Sequence, residues 1–260
     1  MVEGLNSSRI AVLIPVRLSS SRLPEKALLK VLDKFMIEHL IDRVKYSEVS
    51  RIILCTTHEK EDDRIVEVAA KNNIDYFRGN KTDVLERYYA AALQYRIEYI
   101  VNVDGDDIFC EPYYINKTAS ALLNGRYDYV HIEGLPIGFY PVGIKTSALK
   151  KVCEIKNDEN TEGWGRYFLK TGLFSICQLN AEEKHKMDNL RLTLDYQPDF
   201  ELMSQIINRF KDKKPFFIDD ILDLMRSQPE LVSINDEVKE LYWKNFNEKY
   251  NEIKLKEEMQ

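Results

Sequence analysis

The stretch IPVRLSSSRLPEK, residues 14–26, decides how this chain is read. Ala11 to Val16 is an apolar run suited to a buried strand; Ser19, Ser20 and Ser21 break it, and Pro24 opens the next element. Arg17, Arg22 and Lys26 therefore fall on a serine-rich loop between a strand and a helix. Three cations, three hydroxyls and the free N–H groups of a loop meet at the carboxyl end of a strand, where open α/β sheets bind their ligands. The expectation is an enzyme or binder of a polyphosphate.

Outward from that loop, strand and helix signals alternate. Strands are expected over Ile10–Val16, Arg51–Thr57, Asp75–Arg78 and Tyr99–Val103. Helices are expected over Phe35–Tyr46, Asp62–Asn72 and Asp83–Tyr95, the last opened by an Asp83 cap with Glu86 three residues on. Alternation of this kind predicts a three-layer α/β/α sandwich around a mostly parallel, Rossmann-like sheet. The second half is less regular. It reads as helix over Ile115–Leu123, strand over Tyr127–His131, an extended Gly- and Pro-punctuated segment GLPIGFYPVGI, and helix over Thr146–Glu154. A helix over Trp164–Leu169, strands over Phe174–Leu179 and Arg191–Leu194, and helices over Asp199–Phe210 and Phe217–Arg226 follow. Residues 1–235 form one expected domain, with 127–190 as its acceptor-binding and dimerisation part and 236–260 as a charged helix or tail.

Bulk properties narrow the classes. The chain has 260 residues, 44% of them hydrophobic, enough for a substantial core. A formal charge of -6 argues against a non-specific nucleic-acid binder, which needs a cationic stripe. Cys55, Cys110, Cys153 and Cys177 make no CxxC pair, which disfavours a zinc site and suits a reduced, cytoplasmic setting. The start MVEGLNSSRIAV has no basic region followed by an apolar stretch, and no run approaches the length of a membrane span. His39 lies on an apolar helix face and reads as structural; His58 and His185 receive no role.

Two acidic strand ends complete the pattern. Asp104, Gly105, Asp106 and Asp107 close one apolar strand and Asp195 closes another, in LRLTLD. Carboxylates delivered from separate strands can clamp one Mg²⁺ whose octahedral shell is completed by phosphate and water. Each aspartate also reads, on its own, as a cap of the next turn.

These stretches, together with TTHEKEDDRIVEVAAKNNIDYFRGNKTDVLERYYAA at 56–91, VDGDD at 103–107 and LRLTLDYQPDFELM at 190–203, resemble the nucleotidyltransferases typified by CMP-sugar-acid synthetases and spore-coat polysaccharide cytidylyltransferases. The resemblance runs from Ile10 to Phe210. It implies the nucleotide-diphospho-sugar transferase type of sheet, a homodimer, and Mg²⁺-dependent attack on the α-phosphorus of a nucleoside triphosphate, CTP favoured, with release of pyrophosphate. The implied nucleotide site is Pro15, Val16, Arg17, Ser19, Ser20, Ser21, Arg22 and Lys26 on the loop, with Thr56, Thr57 and Asp63 after the second strand. Arg78, Gly79, Asp83, Val84 and Arg87 follow, then Asp104 and Gly105. Arg22, Lys26 and Asp106 carry catalysis in this reading, and Asp106 and Asp195 hold the metal. The chain departs from the family pattern at Glu25 and Ser19, where glycines are usual, and at Asp107 and Ile108, where a small residue and proline are usual. Asp107 then reads as solvent-facing or as a water-mediated partner of the metal.

The acceptor is a sugar acid or related sugar in the leading reading, and a sugar 1-phosphate or other small phosphate ester in the second. His131, Glu133, Tyr140, Glu162, Trp164, Arg166 and Asn189 are the expected acceptor wall, although Trp164 reads more readily as packing than as a ligand stack, and Arg166 reads either as a ligand contact or as a surface or interdomain pair. A nucleotide-sugar glycosyltransferase shares the sheet and the acidic strand end, but needs fewer cations on the first loop. A degenerate binder is the remaining alternative.

Overall fold

The computed structural model describes residues 4–5, 7–161, 163–250 and 253–256. Strand β1 (Ile10–Pro15) is apolar at every position because both of its faces are covered: Ile10, Val12 and Ile14 enter one core, Ala11 and Leu13 the other. It pairs in parallel with β4 (Ile52–Thr57) and β6 (Tyr99–Asn102), and β5 (Asp75–Gly79) adds in parallel to β4. Beyond β6 the direction changes. β8 (Val142–Lys145) runs antiparallel to β6 and to β7 (Tyr129–Glu133), and β9 (Ile176–Asn180) closes the edge parallel to β7. The seven-stranded order is β5-β4-β1-β6-β8-β7-β9. The chain passes from β7 to β8 through the extended segment 134–141 with no crossover helix, so β8 must reverse direction. A separate hairpin, β2 (Lys30–Val31) and β3 (Lys34–Phe35), turns at Leu32 and Asp33 with φ of 48° and 63° and stands where helix was expected at Phe35.

Helices cover both faces. α1 (Met36–Val44), α2 (Asp63–Lys71), α4 (Pro112–Leu123), α7 (Gln197–Arg209) and α8 (Ile218–Ser227) bury their apolar stripes in the first core. α3 (Val84–Tyr95), α5 (Thr146–Ile155) and α6 (Gly165–Lys170) bury theirs in the second. The three-layer sandwich follows from this division. α9 (Pro229–Val232) and α10 (Asp236–Tyr250) then lead to residues 253–256, which return to the body. There the Asn157 N–H donates to Lys254 O and the Lys256 N–H to Ile155 O, both at 2.9 Å, while Ile253 and Leu255 pack on the second core. No described helix is long and apolar enough to cross a membrane.

One expected strand is absent from the sheet. Residues 191–194 are extended, but β8 already occupies the β6 edge, so this segment bonds to loops instead. The Leu192 N–H donates to Ile137 O at 2.8 Å and the Leu194 N–H to Asp106 O at 2.9 Å. Gly138, at φ 103°, permits that approach: a Cβ there would overlap the Leu192 carbonyl.

Candidate active site

Three chain segments meet at the carboxyl ends of β1 and β6. The loop after β1 carries the bases, the turn 104–107 after β6 carries one acid, and the segment ending at Asp195 carries the other. Close backbone contacts hold them in register. The Gly105 N–H donates to Pro15 O at 3.2 Å, and a Cβ on Gly105 would stand 2.5 Å from that oxygen, so only glycine fits. The Leu194 bond to Asp106 O fixes the second acidic segment to the first. Buried Asp62 pins the loop itself, accepting from the Leu18 N–H at 2.8 Å and from the Thr57 N–H and hydroxyl.

The charged side chains converge on one point. Lys26 Nζ donates to Asp106 Oδ2 at 2.5 Å and to Asp195 Oδ1 at 3.1 Å, and Arg22 Nη2 donates to the same Asp195 oxygen at 2.7 Å. The Arg22 guanidinium also lies over the Tyr196 ring, 5.3 Å from its centroid. Burial works against charge on Lys26, but Asp106 and Asp195 overcome it and raise the ammonium pKa above its ordinary value. Burial pushes Asp106 up to about 6 despite Lys26. The same burial penalty acts on Asp195, yet Lys26, Arg22 and Arg191 outweigh it and hold that carboxyl below its usual range. Two carboxylates facing one cationic point suit a cation that arrives with phosphate oxygens and water, since Mg²⁺ commonly takes only one or two protein carboxylates. Among the described residues there is no group of three or more His, Cys, Asp or Glu that could hold a metal by itself.

The remaining expected nucleotide residues lie on the loop after β1, at the ends of β4 and β5, at the start of α3 and on the turn after β6. Ser19 and Ser21 are exposed, and Ser20 Oγ accepts from the Leu23 N–H at 3.4 Å, shaping the loop. Val16 is buried against Gly105, and Arg17 reaches the Lys81 carbonyl at 3.2 Å. Arg78 orders the end of β4: it donates to Thr57 O at 2.7 Å and Glu59 O at 2.8 Å and pairs with Asp63. Arg87 is buried and donates to Asn80 O at 2.8 Å, beside Gly79 at the end of β5. Thr56 is fully buried, and the Thr57 hydroxyl is spent on Asp62 and on the Glu59 N–H. Asp83, next to Val84, caps α3 by accepting from the Glu86 N–H at 3.0 Å, and its other oxygen pairs with Lys156; both oxygens are committed away from a ligand. Asp104 accepts from Asn102 at 3.0 Å. Asp107 is 7% exposed, so it does not face solvent; burial and then Asp104 raise its pKa well above the carboxylate range.

The expected acceptor wall is dispersed. Trp164 is 8% exposed and packs edge-on against Tyr88, Tyr129 and Phe168, as a core residue. The largely buried Arg166 side chain lies 3.6 Å from Asp158. Glu133 accepts from Gln178 at 2.8 Å, and His131 stands half-buried beside Tyr129. Asn189 borders a cavity of about 470 Å³ against α9 and α10, where its carbonyl accepts from Lys239 at 2.6 Å. Tyr140 is close enough to the acidic turn for Asp107, after burial, to raise its phenol pKa. Glu162 lies outside the described residues.

Sequence reasoning missed Asp62, Arg191, Asp199 and Asn235. Arg191 Nη2 donates to Asp195 Oδ2 at 2.8 Å, and its Nη1 pairs with Asp199. The spacing of Arg191, Asp195 and Asp199, four residues apart, was the available signal.

With this geometry in view, the relatives are informative. An uncharacterized protein of Methanocaldococcus jannaschii is 31% identical over 243 residues, 92% of this chain and 100% of that protein. The Bacillus subtilis spore coat polysaccharide biosynthesis protein SpsF is 22% identical over 85% of this chain and 95% of its own length. A solved cytidylyltransferase from Leptospira borgpetersenii superposes with a TM-score of 0.78 at 25% identity, covering 86% of this chain and 96% of that one. A cytidylyltransferase family profile matches residues 11–245, and over that span, nearly the whole folded body, the chain belongs to the cytidylyltransferase family of nucleotidyltransferases.

Proposed function

We propose that the protein transfers a cytidylyl group from CTP to a sugar acid or related sugar, releasing pyrophosphate. One observation carries this reading: Lys26 and Arg22 share the Asp195 carboxylate while Lys26 also holds Asp106, so two bases and two acids meet at the mouth of the loop. The acceptor's hydroxyl oxygen attacks the α-phosphorus and gives up its proton to water, the bond to the bridging oxygen of the β-phosphate breaks, and pyrophosphate leaves with the electron pair. Arg22 and Lys26 neutralise charge on the phosphate oxygens as it develops, and Arg17 and the loop N–H groups orient the phosphate chain. Asp106 and Asp195 would hold a magnesium ion, whose chemistry there is to neutralise phosphate oxygens and draw the reactants together. The activated-sugar reading draws support from SpsF, which serves spore coat polysaccharide biosynthesis. A homodimer and a cytoplasmic setting belong to the same reading, the first supported by exposed Leu169 and Leu173 near the edge strand β9.

The test is pyrophosphate release with CTP, UTP, GTP and ATP in turn, with Mg²⁺, against pooled sugar acids, sugar 1-phosphates and small phosphate esters. Acceptor-dependent release with CTP and the sugar acids is expected. Release only with sugar 1-phosphates moves the acceptor class, and release only with another triphosphate overturns the base.

A further inference from the structure

Asp195 receives support from a direction the phosphate loop does not supply. Its Oδ1 faces Arg22 and Lys26, while its Oδ2 is held at 2.8 Å by Arg191, whose side chain is 2% exposed. Arg191 is fixed in turn. Asp199 pairs with its Nη1 and, through Oδ2, accepts from the Asp195 N–H at 3.0 Å and the Tyr196 N–H at 2.9 Å. Asn235, 1% exposed, donates to Asp199 Oδ1 at 2.8 Å and to Arg191 O at 3.0 Å. The Tyr242 ring of α10 covers the guanidinium, with its centroid 4.6 Å from Arg191 Cζ. A carboxylate with one oxygen clamped from behind presents the other at a fixed angle, which is how an outer shell sets the direction of an inner ligand.

We propose that Arg191 is a positioning residue for the transfer reaction. With Asp199, Asn235 and Tyr242 it fixes the rotamer of Asp195, and through it the α9–α10 region forms part of the active apparatus. The inference rests on the nucleotidyl-transfer reading. A surface ion pair would not need a fully buried arginine shared by two aspartates and roofed by an aromatic ring, and a purely structural pair would not end on the carboxylate that also binds the loop bases.

The experiment is a double-mutant cycle of Arg191→Lys and Asp195→Asn, read by kcat and KM for the active triphosphate, by calorimetric affinity for CTP with Mg²⁺, and by melting temperature. Lysine keeps the charge but cannot hold Asp195 and Asp199 at once. Arg191→Lys should lower kcat, or the CTP–Mg²⁺ affinity if chemistry is too slow to follow, by about ten- to a hundredfold. In the Asp195→Asn background the same change should cost less than about threefold. Tyr242→Leu, on the exposed side of the arginine, should move the same quantity in the same direction by a smaller factor and keeps the test open if Arg191→Lys does not fold. Full additivity in the cycle, or a fall in melting temperature with kcat and affinity intact, overturns the positioning role. A wild-type chain that neither turns over nor binds any triphosphate removes the underlying reading and the proposal with it. Turnover in the wild type with an additive cycle removes only the proposal.

Discussion

Asp106 and Asp195 differ in environment although both touch Lys26. Asp106 is raised by burial and Asp195 is lowered by three surrounding cations, so the two are not interchangeable. Asp106→Asn and Asp195→Asn should each lower kcat by about a thousandfold, measured as pyrophosphate release at saturating triphosphate; both should still fold, but Asp195→Asn should also lower the melting temperature, because buried Arg191 and Lys26 lose an ionised partner. Near-normal Mg²⁺-dependent turnover in both would remove the two-aspartate assignment. Glu25 is a second residue with a definite outcome. Its φ is 53°, in the left-handed region, and its carboxylate pairs with Arg64 on α2. Glycine, usual here in the resembling family, removes about 1 kcal/mol of backbone strain, but it gives back a similar amount as unfolded-chain entropy. Glu25→Gly should therefore leave the melting temperature almost unchanged. It should lower the triphosphate KM about two- to fivefold at low salt, because one negative charge leaves the phosphate loop. An unchanged KM would mean that Arg64 already cancels that charge. The missing glycine was legible in the sequence. The backbone angle it must adopt and the arginine that meets it were not, because Arg64 is 39 residues away and meets Glu25 only once α2 is docked.

The β2–β3 hairpin and helix α1 form an element with its own titration. His39 on α1 bonds the Val31 carbonyl at 2.9 Å through Nε2. Burial depresses its pKa, the Val31 bond works in the opposite direction, and Lys214 and Lys34 depress it further. The folded state thus resists protonation that the unfolded chain accepts below roughly pH 6.5. The unfolded state binds more protons in that window, so the contribution is fully present above the unfolded value and is lost as pH falls toward the lower folded one. His39→Gln, which keeps a donor for Val31, should flatten the pH dependence of urea midpoints as pH falls below about 6.5. An equally steep dependence in the variant would assign the slope to other groups. Element by element, the long apolar runs were readable because β1, β4 and β6 are covered on both faces and stay largely apolar until Thr56, Thr57 and Asn102 at the carboxyl ends. Residues 191–194 read as a strand from their alternating Leu192 and Leu194, yet they bond to Ile137 and Asp106 instead of to a sheet strand. Periodicity reports burial, not the partner. The hairpin at Lys30–Phe35 gave no signal because each of its strands is two residues long.

At the scale of the whole molecule, the sequence yielded the layers and the corner of the sheet where the bases and acids gather. It did not yield the reversal at β8, which depends on a loop too irregular for propensity, nor the acceptor wall. Trp164, Arg166 and Asn189 were chosen for their chemistry, and the packing of α6 and α10 sends each to a different neighbourhood. Net charge poses a further question, because a chain at -6 must take up a highly anionic triphosphate. The Lys26 bridge between Asp106 and Asp195 bears on this directly. The protein carries its own counter-ion: in the free chain the ammonium pairs with both acids, and under the proposed reaction uptake of a metal–triphosphate would be an exchange of partners, Lys26 turning from carboxylate to phosphate while Asp106 and Asp195 would hold the metal. Exchange alters local charge far less than bringing bare opposite charges together from water. Triphosphate affinity measured with Mg²⁺ should then fall no more than about threefold between 50 and 300 mM salt, and in the absence of the metal Lys26→Ala should weaken affinity most at low salt and flatten or reverse that fall, because salt screens the repulsion between the unshielded acids and the incoming phosphates.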